Sequence, residues 1–154
     1  MRIVSMLLIG LIVAAAATSE VTAQAAPAAV QSPAVQPPAP QPPAPEIFFR
    51  APANGATTPQ TFPVVFGLRN YGVAPAGLQY PRTGHFHILI NVEPPAPGIV
   101  IPADSLHRHY GAGQIETSLT LAPGNYTLRL VLADHEHKVI GPQLTSRPIR
   151  ITVR

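Results

Sequence analysis

All six histidines of this 154-residue chain occur in pairs with one residue between the two members. The three pairs are His85/His87, His107/His109 and His135/His137. Side chains two residues apart on one face of a β-strand lie about 6.5 to 7 Å apart, so both rings of a pair can approach one ion. Imidazole is a ligand for copper, zinc, nickel and iron. The spacing therefore predicts a metal site, provided that the fold brings the pairs together.

The composition narrows the kind of metal and the kind of partner. The chain has no cysteine, which excludes thiolate ligands and disulfides. A site built from histidines alone favours Cu(II) or Zn(II), and the Irving-Williams order favours copper where copper is available. Six histidines are also enough for two ions. Arginines are spread singly along the chain rather than clustered, so we expect no nucleic-acid partner.

The first histidine pair lies on a segment with the alternation of a half-buried strand. In residues 83–92, one set of alternating positions is apolar and the other carries the histidines. The two sets are Phe86, Ile88, Ile90 and Val92, and His85, His87, Leu89 and Asn91. One face of this strand is therefore expected to build the core. The opposite face carries the two imidazoles.

The rest of the domain also reads as short strands punctuated by proline and glycine. Alternating runs predict strands at residues 46–51, 61–69, 83–92, 114–121, 126–133 and 148–153, with a short edge strand at 99–101 and an irregular segment at 102–113. This pattern predicts an all-β fold, an antiparallel immunoglobulin-like or fibronectin-like sandwich of about seven strands. Tyr126, directly after a Pro-Gly turn, resembles the tyrosine corner of such sandwiches.

The sandwich topology predicts that the pairs converge. Strands 83–92 and 126–133 should be antiparallel neighbours, which places the start of one beside the end of the other and brings His85/His87 to His135/His137. All four face outward if the second strand stays extended through His137. A tight turn joins strands 114–121 and 126–133, so His107/His109 should arrive at the same end. We rank the first two pairs highest as ligands, then His109, then His107.

Three carboxylates lie close enough in sequence to support the rings. Asp104, Asp134 and Glu136 are candidates to orient an imidazole through its other nitrogen. Asp134 has core-facing parity, so it is equally a candidate to bind loop backbone.

The residues before the domain predict export. Residues 1–25 combine a short positive start, an apolar run and small residues, as in a secretory signal peptide. Residues 26–45 form an uncharged Pro/Ala/Gln spacer. Residues 46–154 are the histidine-rich domain. We expect a periplasmic or secreted protein with no membrane span in its mature form. The spacer predicts either an envelope or protein partner or an unselected disordered leader.

Several motifs together resemble a known family. They are residues 77–81, Thr83-Gly84-His85-x-His87, Ile101-Pro102-Ala103, His109-Tyr110-Gly111-x-Gly113-Gln114-x-Glu116-Thr117, Leu121-x-Pro123-Gly124 and Asp134-His135-x-His137. Over about residues 48–153 the chain resembles the bacterial exported family called domain of unknown function 4399. The resemblance implies an exported, histidine-rich β domain and supplies no activity. In that family pattern position 107 is less regularly histidine, and Gln114 and Glu116 accompany His109 as candidate polar supports.

Two other functions remain open from the sequence. The same histidine cluster would serve a metal-dependent enzyme if the ion kept an open position beside an acid or base, although no catalytic arrangement can be placed by spacing. Without a metal, clustered histidines would titrate near pH 6.5 and give a structural or interaction sandwich a pH-sensitive surface.

Overall fold

The computed structural model describes residues 41–154. The predicted signal peptide and residues 26–40 of the predicted spacer lie outside this range, so both stay predictions. The described part contains nine strands and a short 3-10 helix at Pro142–Leu144. The strands are β1 (Glu46–Ala51), β2 (Ala56–Thr58), β3 (Thr61–Arg69), β4 (Gly72–Val73), β5 (Thr83–Ile90), β6 (His107–Tyr110), β7 (Glu116–Thr120), β8 (Gly124–Ala133) and β9 (Ile149–Val153).

These strands form two sheets, as an all-β sandwich requires. The smaller sheet has the order β1-β3-β7, and the larger has the order β2-β9-β8-β5-β4, with β6 also paired to β5. The predicted fold class is confirmed. Two details of the prediction were wrong, since nine strands replace about seven and the short β2–β9 and β4–β5 pairs are parallel.

The core lies between the two sheets and follows the predicted parity. Phe86, Ile88 and Ile90 on β5 stand opposite Leu132, Leu130 and Leu128 on β8, and all six side chains are buried. Phe62, Val64 and Phe66 of β3 meet them from the smaller sheet. The tyrosine corner is present as well, because the Tyr126 hydroxyl donates a hydrogen bond to the Ala122 carbonyl at 3.0 Å.

The outer face of the larger sheet is buried too, which the alternation did not predict. Leu89, Val131 and Ala133 form a second apolar cluster there with Ile101 and Val139, which come from the connecting segments. Those segments are joined to each other, since the Val139 amide donates to the Ile99 carbonyl at 3.0 Å. The edge strand predicted at 99–101 is therefore wrong. Only an isolated bridge between Val100 and Lys138 forms there.

Across residues 41–154, no helix has the length and apolar character needed to cross a bilayer.

Candidate metal centre

Strand pairing brings three histidines together on the outer face of the larger sheet. His85 stands opposite Ala133 on β8, as predicted for neighbouring antiparallel strands. On the other edge of β5, His87 stands directly opposite His109 on β6. The segment 102–113 was predicted to be irregular, and this was wrong for residues 107–110, which form strand β6. His109 reaches the cluster by pairing with β5, not through the turn between β7 and β8.

A tight turn after β8 brings in the fourth histidine. Strand β8 ends at Ala133, where the sequence predicted its end, so the condition that it stay extended through His137 is not met. One Asp134 carboxylate oxygen accepts the backbone N–H groups of Glu136 and Lys138, both at 2.9 Å. His137 adopts a positive φ of 66°, and its N–H donates to the Asp134 carbonyl at 3.0 Å. Asp134 therefore binds loop backbone, as its core-facing parity had allowed.

Four imidazoles consequently lie within contact distance of one another. The Nε2 atoms of His85 and His87 are 3.0 Å apart. Ring nitrogens of His85, His109 and His137 all lie within 4.8 Å of one another, and the His87 and His109 ring centres are 5.0 Å apart. Nitrogens that share a zinc ion at about 2.0 to 2.1 Å are themselves separated by about 2.9 to 3.4 Å. A modest rotation of the exposed rings would place this set around one ion.

Burial keeps the inner two rings neutral. His85 and His87 are 0% and 2% exposed. Burial, followed by the neighbouring imidazoles, lowers the pKa of His85 to about 4 and the pKa of His87 to about 3. The pKa of His109 is also lowered, again mainly by burial and then by His137. At neutral pH these rings therefore carry the free lone pair that a metal ion requires.

The two inner rings are also incompletely bonded. The Nδ1 atoms of His85 and His87 are buried and have no hydrogen-bond partner within the described residues. A buried polar atom without a partner costs about 1 to 3 kcal/mol. Burying this ring pair therefore lowers the free energy of unfolding relative to an apolar pair.

Residues 74–77 contribute no histidine, but their backbone connects the elements that carry the site. Its amides donate to the start of β5, to the turn after β6 and to the turn after β8: Ala74 to the Gly84 carbonyl at 2.9 Å, Ala76 to the Gly111 carbonyl at 2.8 Å, and Gly77 to the His135 carbonyl at 3.0 Å. Sequence reasoning missed this role of residues 74–77. The segment has no side chain that could bind a metal or act in catalysis, and its only signal was Gly77, the first residue of the motif at 77–81.

Gly111 makes room for the His109 ring. A Cβ atom at Gly111 would lie 2.3 Å from both Nε2 and Cε1 of that ring. Real Cβ atoms do not approach this closely, so any larger residue would displace the imidazole. The motif glycine at 111 is thereby explained.

Two of the six histidines lie outside the cluster. His107 hydrogen-bonds through Nδ1 to an Asp104 carboxylate oxygen at 2.8 Å, as the proposed orienting role of Asp104 requires. His135 lines a separate cleft with Tyr71, Leu78 and Tyr80.

The remaining polar candidates do not contact the cluster rings through hydrogen bonds. Glu136 pairs with Lys138 at 2.6 Å, and Gln114 accepts the Ala112 amide at 2.8 Å. Glu116 is exposed on β7.

Comparison with known proteins adds a family and no activity. No curated protein and no solved structure matches this chain. A family model described as a domain of unknown function matches residues 64–154, a span that contains all six histidines. Since that match covers more than half of the sequence, the chain belongs to the family called Domain of unknown function (DUF4399).

Proposed function

We propose that this protein binds a copper or zinc ion through His85, His109 and His137, with His87 as an additional ligand. The observation that carries the proposal is the approach of the three ring nitrogens to within 4.8 Å of one another. Donors from three separate elements converge, which chance placement of histidines does not explain. The all-nitrogen donor set suits Cu(II) and Zn(II).

The complete burial of two imidazoles supports this function over a structural one. An apolar pair of similar size would fill the same space at His85 and His87 without losing hydrogen bonds to water. A bound ion would engage the ring nitrogens that face the cluster. It would also gain from rings that burial already holds neutral.

Binding is favoured over catalysis by the state of the carboxylates. Asp134 accepts two backbone amides, Glu136 pairs with Lys138, and Asp104 accepts from His107. None of the three stands free beside the cluster as a general base, so the described residues do not match the arrangement of a base-assisted metal hydrolase. The inner rings do not contribute to a pH-sensitive surface, because His85 and His87 are buried and their pKa values are lowered to about 4 and about 3.

The proposal includes export, with the function outside the cytoplasm. The apolar, positively started segment at residues 1–25 supports a signal peptide, and the absence of cysteine fits a site that needs no reducing compartment. We therefore place the metal site in the periplasm or in a secreted protein.

Metal content is the direct test. The full chain should be produced with its own leader in an exporting host, purified without an affinity tag, and analysed for metals before and after incubation with Cu(II) or Zn(II). The expected result is stoichiometric metal in the parent and little metal in His109→Ala and His137→Ala. The matched control is His135→Ala, which should retain the parent's metal. A parent protein that holds no metal after incubation would contradict the proposal. So would a His135→Ala control that loses as much metal as the His109 and His137 variants.

A further inference from the structure

A cleft beside the cluster presents two imidazoles from one strand. His107 and His109 lie two residues apart on β6 and both line this surface cleft, which has a volume of about 340 Å³. Asp104, Arg108 and Tyr110 complete much of its wall. His109 thus belongs to two sites at once. It faces the buried cluster and also the open cleft.

His107 is held in the orientation that metal ligands adopt. One Asp104 carboxylate oxygen accepts the backbone N–H groups of Leu106 and His107 at 2.8 and 3.1 Å, and the His107 Nδ1 at 2.8 Å. An ionised carboxylate can only accept, so Nδ1 carries the proton, and in the neutral tautomer of the ring the lone pair lies on Nε2. Carboxylate-oriented imidazoles of this kind are the usual partners of protein-bound metals.

The free nitrogen of His107 has no other role in the described residues. The side chain is only 10% exposed, yet no hydrogen bond to Nε2 occurs among residues 41–154. The pKa of Asp104 is lowered, first by its hydrogen bond to His107. The His107 ring is thus largely buried and held by Asp104 through Nδ1, which leaves Nε2 available to bind a cation at the cleft.

An ion needs such a point of entry. His85 and His87 are buried, so an incoming ion must first meet the exposed His109 or the half-buried His137. The cleft around His135 is the competing route, at about 370 Å³. His137 does not line that cleft, which presents a single imidazole, whereas the other cleft presents both His107 and His109. The cleft of His107 and His109 therefore offers more metal ligands to an incoming ion than the cleft of His135.

We infer that His107, oriented by Asp104, is a loading ligand for the proposed metal centre. This inference rests on the proposed function. His107 and His109 capture the incoming ion, and the bond to His107 is then exchanged for bonds to the inner histidines while His109 stays bound. His107 is not part of the final ligand set. It sets the rate of loading and release, whereas the cluster sets the affinity.

The rate of metal uptake tests this. Full-length protein is mixed rapidly with Cu(II) alone, and binding is followed by quenching of the fluorescence of its tyrosines, since the chain has no tryptophan. His107→Gln should slow loading by roughly ten-fold or more, in the range known for residues that support metal sites. Because the final site is unchanged, the equilibrium affinity should stay the same and release should slow in proportion. Asp104→Asn should act in the same direction with a smaller effect.

The matched control is His135→Gln, which changes the other histidine outside the cluster and should load at the parent's rate. Loading of His107→Gln at the parent's rate would overturn the inference. So would a loss of affinity in that variant, which would make His107 a resident ligand, or slowing confined to the His135 variant. A parent that takes up no copper at all would overturn the proposed function instead, which separates the two failures.

Discussion

The two faces of β5 are equally buried and chemically opposite. The inner face presents Phe86, Ile88 and Ile90 to the smaller sheet, and each is at most 3% exposed. The outer face presents His85, His87 and Leu89, and each is at most 2% exposed. The inner face gains from apolar burial and dispersion. The outer face gives up hydrogen bonds to water without replacing all of them.

This difference separates residues that build the fold from residues that the fold supports. Apolar side chains on both faces would give a more stable metal-free protein. The outer histidines are held in place by connecting segments that cover the sheet, at a cost that ligand binding can offset.

Truncation of the inner face should destabilise the protein whether or not metal is bound. Ile88→Ala removes a fully buried side chain and leaves a cavity, so the free energy of unfolding should fall by about 2 to 5 kcal/mol. Denaturant unfolding of the metal-free and metal-loaded forms would measure this. A loss seen in only one of the two forms would show that the faces are not independent.

The outer face should make the metal-free protein sensitive to acid. The folded pKa of His85, about 4, lies below the ordinary value of 6.5, so the unfolded chain binds more protons between these pH values. Stability is therefore fully present above pH 6.5 and is lost as the pH falls toward 4, and toward 3 for His87. The loss should be on the order of 3 kcal/mol for His85, at about 1.4 kcal/mol per pKa unit.

Unfolding midpoints measured across this pH range would show the effect. A double variant, His85→Leu with His87→Leu, is the reference, because the carboxylates still titrate in it. Equal pH dependence in the parent and in this variant would mean that the two rings are not held neutral by burial.

Replacing both inner rings by apolar side chains should stabilise the metal-free protein while weakening metal binding. His85→Leu with His87→Leu removes two buried Nδ1 atoms that have no hydrogen-bond partner, and because the two Nε2 atoms contact each other, neither is left unpaired. We therefore expect a gain of about 1 to 3 kcal/mol. Thermal unfolding and metal titration of the same preparation would report both quantities. If stability falls instead, the rings contribute to packing and the contrast between the faces is overstated.

Crowding the third ligand should affect the site far more than the fold. Gly111→Ala forces the exposed His109 ring away from its position, so metal affinity should fall by about 10 to 100-fold with little change in metal-free stability. The same change in a His109→Ala background should add nothing further to the loss of affinity. An additional loss in that background would mean that Gly111 acts on the site through something other than His109.

The sequence was most informative where alternation and pairing were regular. Strands β1 and β3 have the predicted bounds, and the inward parity of β5 and β8 is confirmed. Antiparallel pairing of β5 with β8 follows from sandwich topology, which is why His85 was placed correctly near the end of β8. Period-two patterns suffice here because both strands are long and their inner faces are uniformly apolar.

The sequence was least informative in the short and irregular parts of the site. Strand β6 has only four residues and an exposed Arg108, so its pairing with β5 left no periodic signal. The turn at Asp134 depends on one carboxylate oxygen that binds two amides, and a chain without glycine there gave no turn signal. Both errors affected which histidines meet. Burial of the outer face by distant segments is likewise a tertiary property that alternation cannot express.

X-ray absorption spectroscopy of the zinc- or copper-loaded full chain tests the central claim most directly. The account predicts three or four imidazole nitrogens at about 2.0 Å and no sulfur in the coordination shell. His109→Ala and His137→Ala should each lose an imidazole contribution, and His135→Ala should not. A shell dominated by oxygen, or one unchanged in the His109 and His137 variants, would contradict a metal centre at this cluster.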